Sequence, residues 1–283
     1  MRIEVKNLSH VYSPGLPYET KALEDISFAV EQGEFVALIG HTGSGKSTLV
    51  QHLNGLVKPT SGQVLVNGTD INEKSEAARA LRRRIGIVFQ YPEYQLFEET
   101  VLKDVCFGPK NQGYSDEQCL SRARHALSLV GLDPDEYGEL SPFSLSGGEK
   151  RRVAIAGTLA MRPDFIILDE PTAGLDPKGH TDILNMIRRI RESYQMSILF
   201  VTHNMDDAAL LAERILVMDR GRLVLDGSPK SVFGKVELIE QLGLSLPSAS
   251  SLMVRLERGG LKASRYVLSA DEAVEEIAKI FGK

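Results

Sequence analysis

The segment Gly40-His41-Thr42-Gly43-Ser44-Gly45-Lys46-Ser47 has the spacing G-x-x-x-x-G-K-[ST], which builds a phosphate-binding loop. Its glycines let backbone N–H groups turn toward a phosphate chain with no Cβ in the way. A helix starting near Lys46 aims its positive dipole end at the same anion. Lys46 then neutralises the β- and γ-phosphates, and the Ser47 hydroxyl is a ligand for Mg2+. Thr48 completes the run of ATP-binding candidates. Further on, the apolar run Phe165-Ile166-Ile167-Leu168 ends in Asp169-Glu170. Such a strand sets Asp169 where it holds a metal ion, and Glu170 where it polarises an attacking water. Alone, the same run reads equally as a buried strand whose acids cap a helix. Beside a phosphate loop it supplies the two groups that phosphoryl transfer still lacks.

Leu145-Ser146-Gly147-Gly148-Glu149 lies upstream of those acids and opens a helical pattern. Ser146, Gly147 and Gly148 offer further N–H donors at a helix start, so one chain carries two phosphate-binding surfaces. A plain N-cap with glycines has the same composition.

Positioning these groups calls for a sheet with helices around it. Phe35–Ile39, 85–89, 165–168 and 198–201 are short apolar runs, predicting strands buried on both faces. Residues 3–11 alternate loosely and predict an edge strand. Residues 63–66 lead into Asn67-Gly68, a strand entering a tight turn. Residues 215–218 and 223–225, joined through Arg220-Gly221, predict a hairpin. Between 89 and 165 helical spacing takes over. Residues 115–130 place Leu120, Ala123, Leu127 and Val130 on one face, and 148–161 form a second helix of this insertion. Residues 178–194 are amphipathic through Ile183, Ile187 and Ile190. Pro247 and the serine cluster at 248–251 separate 232–242 from 252–256, and Ser269-Ala270-Asp271-Glu272 starts a last helix over 269–281.

The 283 residues suffice for one large domain or two small ones, and a composition 42% hydrophobic and 25% charged is that of a globular soluble protein. The net charge of −5 argues against a nucleic-acid binder that relies on a domain-wide basic field. Cys106 and Cys119 form no C-x-x-C pair, which predicts two reduced thiols in a cytosolic protein. The longest apolar runs are far too short for a membrane span, and charges spread through residues 1–6 leave no signal-peptide core.

Leu145-Ser146-Gly147-Gly148-Glu149 resembles the signature sequence of the ABC ATPases. In that family two subunits pair head to tail, and the signature of one closes over the ATP held by the other. The resemblance covers residues 1 to about 230 and implies an α/β fold. That fold is a P-loop NTPase core of the ABC ATPase kind, with an antiparallel β-subdomain and a helical signature subdomain at about 92–162. Residues 231–283 are then a small C-terminal accessory domain that helps two subunits pair. Position by position, Tyr12 resembles the aromatic that stacks on adenine, and Gln90 the glutamine that reaches Mg2+ and the attacking water. Ala173-Gly174-Leu175-Asp176 resembles the D-loop, placing Asp176 with Ser146, Gly147 and Gly148 at the partner's ATP. His203 resembles the switch histidine that contacts the γ-phosphate. The implied ligands are ATP and Mg2+, the metal held by Ser47, Gln90 and Asp169, with Glu170, His203 and Gln90 as the catalytic set.

Gln90-Tyr91-Pro92-Glu93-Tyr94-Gln95-Leu96-Phe97 resembles the energy-coupling factor ATPases, the cobalt and vitamin importer group. The phosphate loop followed by Gln51-His52-Leu53-Asn54, and the run Leu140-Ser141-Pro142-Phe143-Ser144 before the signature, resemble the second, or A-prime, paralogue. Tyr91 stands where Asn is frequent, and Glu149 where Gln is frequent. The resemblance implies a peripheral subunit at the cytoplasmic face of the cell membrane. Its partners are a second ATPase subunit, an integral membrane coupling subunit and a substrate-binding membrane subunit, with no nucleic acid. A heterodimer of paralogues is favoured, a homodimer being the alternative. Tyr91, Tyr94, Leu96 and Phe97 either pack into the helical subdomain or line a groove for a membrane-subunit helix. Other readings are an ATPase of another ABC transporter class, a soluble ABC ATPase acting on DNA or ribosomes, and a non-hydrolysing module. The chain has one cassette, no sustained heptads between Ser47 and Leu145, and an intact Lys46, Asp169, Glu170 and His203, which speaks against the last two.

Overall fold

The computed structural model describes residues 1–194 and 196–281; positions 282 and 283 of the expected accessory domain lie outside them. Among the described residues ten strands occur: β1 (Ile3–Tyr12), β2 (Thr20–Val30), β3 (Phe35–Ile39), β4 (Ser61–Val66), β5 (Thr69–Asp70), β6 (Ile85–Val88), β7 (Phe165–Asp169), β8 (Ser197–Val201), β9 (Arg214–Asp219) and β10 (Arg222–Gly227). One sheet has the order β10-β9-β3-β8-β7-β6 and is parallel except for the β9–β10 hairpin. β3 and β8 are buried at every residue, as their uninterrupted apolar runs require. Parallel pairing brings the carboxyl ends of β3, β7 and β8 to one edge, where ligands of open α/β sheets bind.

The second sheet is antiparallel, in the order β2-β1-β4-β5. Residues 3–11, expected at an edge, instead form β1 between β2 and β4. The sequence hides β2 because Glu24 and Asp25 break its alternation. Asp25 sits at φ 51 where the register with β1 shifts, which is a bulge. The Asn67-Gly68 turn between β4 and β5 has φ 49 and 84, both left-handed, the geometry a tight hairpin favours.

Helices α1 (Lys46–Leu53) and α2 (Glu76–Arg82) precede β6. The insertion between β6 and β7 holds α3 (Val101–Asn111), α4 (Asp116–Leu129), α5 (Pro134–Tyr137) and α6 (Gly147–Ala160), with 3-10 turns at Pro92–Gln95 and Pro142–Ser144. Ser115 and Gln118 form a reciprocal capping box that starts α4. Its buried face runs through Cys119, Ala123, Ala126 and Leu127; Leu120, expected there, is exposed, because the stripe is turned by one residue. Both cysteines are free and buried, and burial pushes the Cys106 thiol up. α7 (Pro177–Ser193) joins β7 to β8 with Ile183, Ile187 and Ile190 inward, and α8 (Met205–Leu211) joins β8 to β9. None of the described helices is long and apolar enough to cross a membrane.

Beyond β10 lie α9 (Pro229–Phe233), α10 (Val236–Gln241), α11 (Ser248–Arg258) and α12 (Ala270–Ile280). Residues 232–242, one segment by pattern, are thus parted near Gly234 and Lys235. Val232, Phe233 and Ile239 pack with Ala37 and Ile39 of β3, so α9 and α10 lie against the six-stranded sheet. A separate small cluster of Met253, Val267 and Ala273 holds α11 and α12 together.

Candidate functional site

The phosphate loop bridges β3 and α1. Gly40 has φ 153, and a Cβ there would meet Met218 O at 2.4 Å. Gly45, the N-cap of α1, has φ 102, and a Cβ there would meet Ala22 O at 2.7 Å. Any side chain at either position would force this loop off its path. Lys46 is 9% exposed, and its ammonium donates to Gly40 O at 2.6 Å and His41 O at 3.0 Å. Burial pushes the Lys46 ammonium down, against the pull of the Glu170 and Asp169 charges. Ser44 Oγ is buried with no hydrogen-bond partner, an orphaned polar atom inside a loop built for anions. His41 donates toward Thr42 O at 2.8 Å and Asp219 Oδ1 at 2.7 Å, and these acceptors hold its pKa above the ordinary value. Tyr12 stands half-exposed at the rim, its hydroxyl 3.4 Å from Thr48 Oγ1 and its ring braced edge-on by buried His10.

Opposite the loop, β7 ends in Asp169, and the next residue, Glu170, is held at φ 49 while its N–H donates to Val201 O on β8. That left-handed conformation is uncommon for glutamate and marks a constrained position. Gln90 Nε2 donates to Glu170 Oε2 at 2.9 Å, and His203 Nδ1 lies 3.2 Å from Glu170 Oε1. Asp169 is pushed up to about 6 by burial and by the Glu170 charge, with Lys46 opposing. Such a carboxylate calls for a cation. The described residues contain no cluster of three or more His, Cys, Asp or Glu side chains able to cage a metal. A hydroxyl, an amide oxygen and a carboxylate from Ser47, Gln90 and Asp169 are the hard oxygen donors that suit Mg2+, which takes its remaining ligands from water and phosphate.

Tyr12, Gly40, His41, Thr42, Gly43, Gly45, Lys46, Ser47, Thr48, Gln90, Asp169, Glu170 and His203 line one cleft of about 1040 Å3. Thr20, Lys21, Ala22, Arg220, Gly221, Gly243, Leu244 and Ser245 line it too and escaped the sequence reading. Arg220-Gly221 was visible only as a hairpin turn; 243–245 carry no local signal, being brought in by the packing of α9 and α10. Ser146, Gly147, Gly148 and Asp176 do not reach this cleft. Ser146 caps α6: its backbone N–H and its hydroxyl donate to Glu149 at 2.8 and 2.6 Å, which holds the Glu149 carboxyl below its usual range. A Cβ on Gly147 or Gly148 would touch nothing, so the face of this helix start is open. Asp176 accepts from Gly179 N–H at 2.9 Å and caps α7. Of the four large side chains after Gln90, Leu96 is buried, whereas Tyr91, Tyr94 and Phe97 are exposed.

The ABC transporter family profile matches residues 23–173. The energy-coupling factor transporter ATP-binding protein EcfA2 of Clostridium tetani is 50% identical over 281 residues, covering 99% of this chain and 98% of that protein. Its counterpart in Caldanaerobacter subterraneus is 52% identical over 279 residues, covering 99% and 97%. Among solved structures, cbiO1 from Clostridium perfringens, described as part of the ABC transporter complex cbiONQ, aligns with TM-score 0.74 and 38% identity over 91% of this chain and 96% of that one. A dimeric ATP-binding cassette in a post-hydrolysis state with ADP and Pi aligns with TM-score 0.70 and 30% identity over 80% and 98%.

Proposed function

Because this chain belongs to the ABC transporter family, and within it to the energy-coupling factor ATP-binding proteins, we propose roles for its cleft residues in a known reaction. The chain is the ATP-hydrolysing subunit of an energy-coupling factor type importer. Tyr12 stacks on adenine, and residues 40–48 hold the phosphates. Lys46 leaves its two carbonyl partners for the phosphate oxygens, which are stronger acceptors. Ser47, Gln90 and Asp169 would hold Mg2+, which would supply charge neutralisation at the phosphates. Glu170 accepts the proton of the attacking water. Gln90 and His203 fix its carboxylate, and His203 reads the γ-phosphate. Glu170, clamped in a left-handed conformation at a strand end, carries this reading.

Two such subunits close head to tail, each lending Ser146, Gly147, Gly148 and Asp176 to its partner's ATP. The open helix start at Gly147 and Gly148, away from the chain's own cleft, supports that division. The partners are a paralogous ATPase subunit, a membrane coupling subunit and a substrate-binding membrane subunit, with the chain peripheral at the cytoplasmic face. The cargo is a vitamin or a transition-metal ion. The dimeric state of the related cassette and the complex that contains cbiO1 support this assembly. Glu170→Gln tests the central assignment. It should bind ATP normally and lose turnover by about 10²–10⁴, the range for a general acid–base group. Turnover at the native rate removes Glu170 from the mechanism.

A further inference from the structure

Arg151 is 1% exposed and takes part in no step described above. It lies on α6, shortly after the Gly147-Gly148 start, and its guanidinium reaches two other segments at once. Nε and Nη2 donate to the Glu93 carboxylate at 3.2 and 2.8 Å. Nη1 donates to Pro171 O at 3.1 Å and Ala173 O at 2.6 Å. Glu93 sits in the 3-10 turn that follows Gln90; Pro171 and Ala173 directly follow Glu170 and lead to Asp176. The Tyr91 ring lies 5.9 Å from the guanidinium carbon.

Burying a cation this deeply is costly, and an apolar residue would fill the space with less penalty. What the site needs is a planar fork that grips a carboxylate on one side and carbonyls on the other, which lysine cannot supply. We propose that Arg151 is a positioning residue. It ties the signature helix, the Glu93 turn and the segment after Glu170 into one unit, so that a shift of α6 onto the partner's nucleotide carries Gln90 and the exposed Tyr94 and Phe97 with it. The proposal rests on the functional reading above. A rigid link of this kind couples two sites because both bias the same element.

Arg151→Lys keeps the charge and loses the fork; Glu93→Gln keeps the shape and loses the carboxylate. Each variant, and the pair together, is assembled into the complete transporter complex. Turnover is counted per site that binds a fluorescent ATP analogue, so unfolded chain drops out. KM for ATP should stay within about 3-fold, because neither residue touches the phosphate loop, while kcat falls about 10-fold or more, as misplacement of catalytic groups does. The double variant should lose little beyond the worse single variant, since both break one unit. Native kcat in both single variants overturns the proposal, as does a double variant whose loss is the product of the two. A loss that vanishes once sites are counted overturns it too, assigning Arg151 to folding alone. Native turnover by Glu170→Gln, run alongside, would instead overturn the site assignment itself.

Discussion

Asp169 holds its proton more tightly than an ordinary aspartate. Its pKa of about 6 lies above the usual 3.8 because of burial first and the Glu170 charge second. The folded, nucleotide-free chain therefore binds this proton more tightly than the unfolded chain. Stability falls as pH rises from about 4 to about 6 and then levels, by at most about 3 kcal/mol at some 1.4 kcal/mol per unit. In the proposed role, a cation at Asp169 would displace this proton. Mg2+-dependent ATP affinity should accordingly rise between about pH 5 and pH 7, with proton release near pH 6, measured by calorimetry in buffers of different ionisation enthalpy. Asp169→Asn should abolish the proton release and raise the Tm of the nucleotide-free chain above pH 6. Affinity independent of pH would contradict the assignment. The residues of this cleft were legible where chemistry is contiguous, as in 40–48 and 169–170. Ser44 was legible as a loop member, but its orphaned hydroxyl was not, since that depends on what surrounds it in space.

At the scale of elements, α6 begins with donors that its own cleft does not use. Ser146→Arg should leave ATP binding to the same chain intact, cost about 1 kcal/mol through the lost cap, and stop turnover by blocking closure. Where two copies of this chain pair, mixed dimers with Lys46→Ala, verified by sequential purification on two tags, hold one intact composite site and one doubly broken. Turnover above that of either variant alone is the expected result; none would count against a shared site. Long periodic helices such as α7 and fully apolar strands such as β3 and β8 were legible because burial acts on every residue of the pattern. β2 was not, because a bulge at Asp25 lets acidic residues interrupt a strand without breaking the sheet. Leu120 was misplaced because α4 buries small residues, Cys119, Ala123 and Ala126, whose hydrophobic signal is weaker than that of a leucine.

At the scale of the whole molecule, the exposed side chains after Gln90 are the proposed contact for the membrane subunit, beside a residue that lines the cleft. Phe97 packs edge-on with half-exposed Phe107 at 4.9 Å between ring centres, and Tyr94 is 85% exposed. Tyr94→Ala and Phe97→Ala should therefore weaken assembly with the membrane subunit while the free chain keeps its Tm within a few degrees, about 1 kcal/mol or less. Co-purification of the complex, with melting of the free chain in parallel, checks both; normal assembly by both variants would move the docking surface elsewhere. The C-terminal segment has a different reach. Gly243, Leu244 and Ser245 line the nucleotide cleft, and just beyond them Ser248 donates from its backbone and its hydroxyl to Asp206 at the start of α8. Ser248 opens α11, so the cleft and the α11–α12 pair share one stretch of backbone. Whatever grips that pair and shifts this stretch changes the free energy of nucleotide binding. Thermodynamic reciprocity then obliges nucleotide to change the grip by the same factor, so a ligand of the tail and ATP would each report on the other.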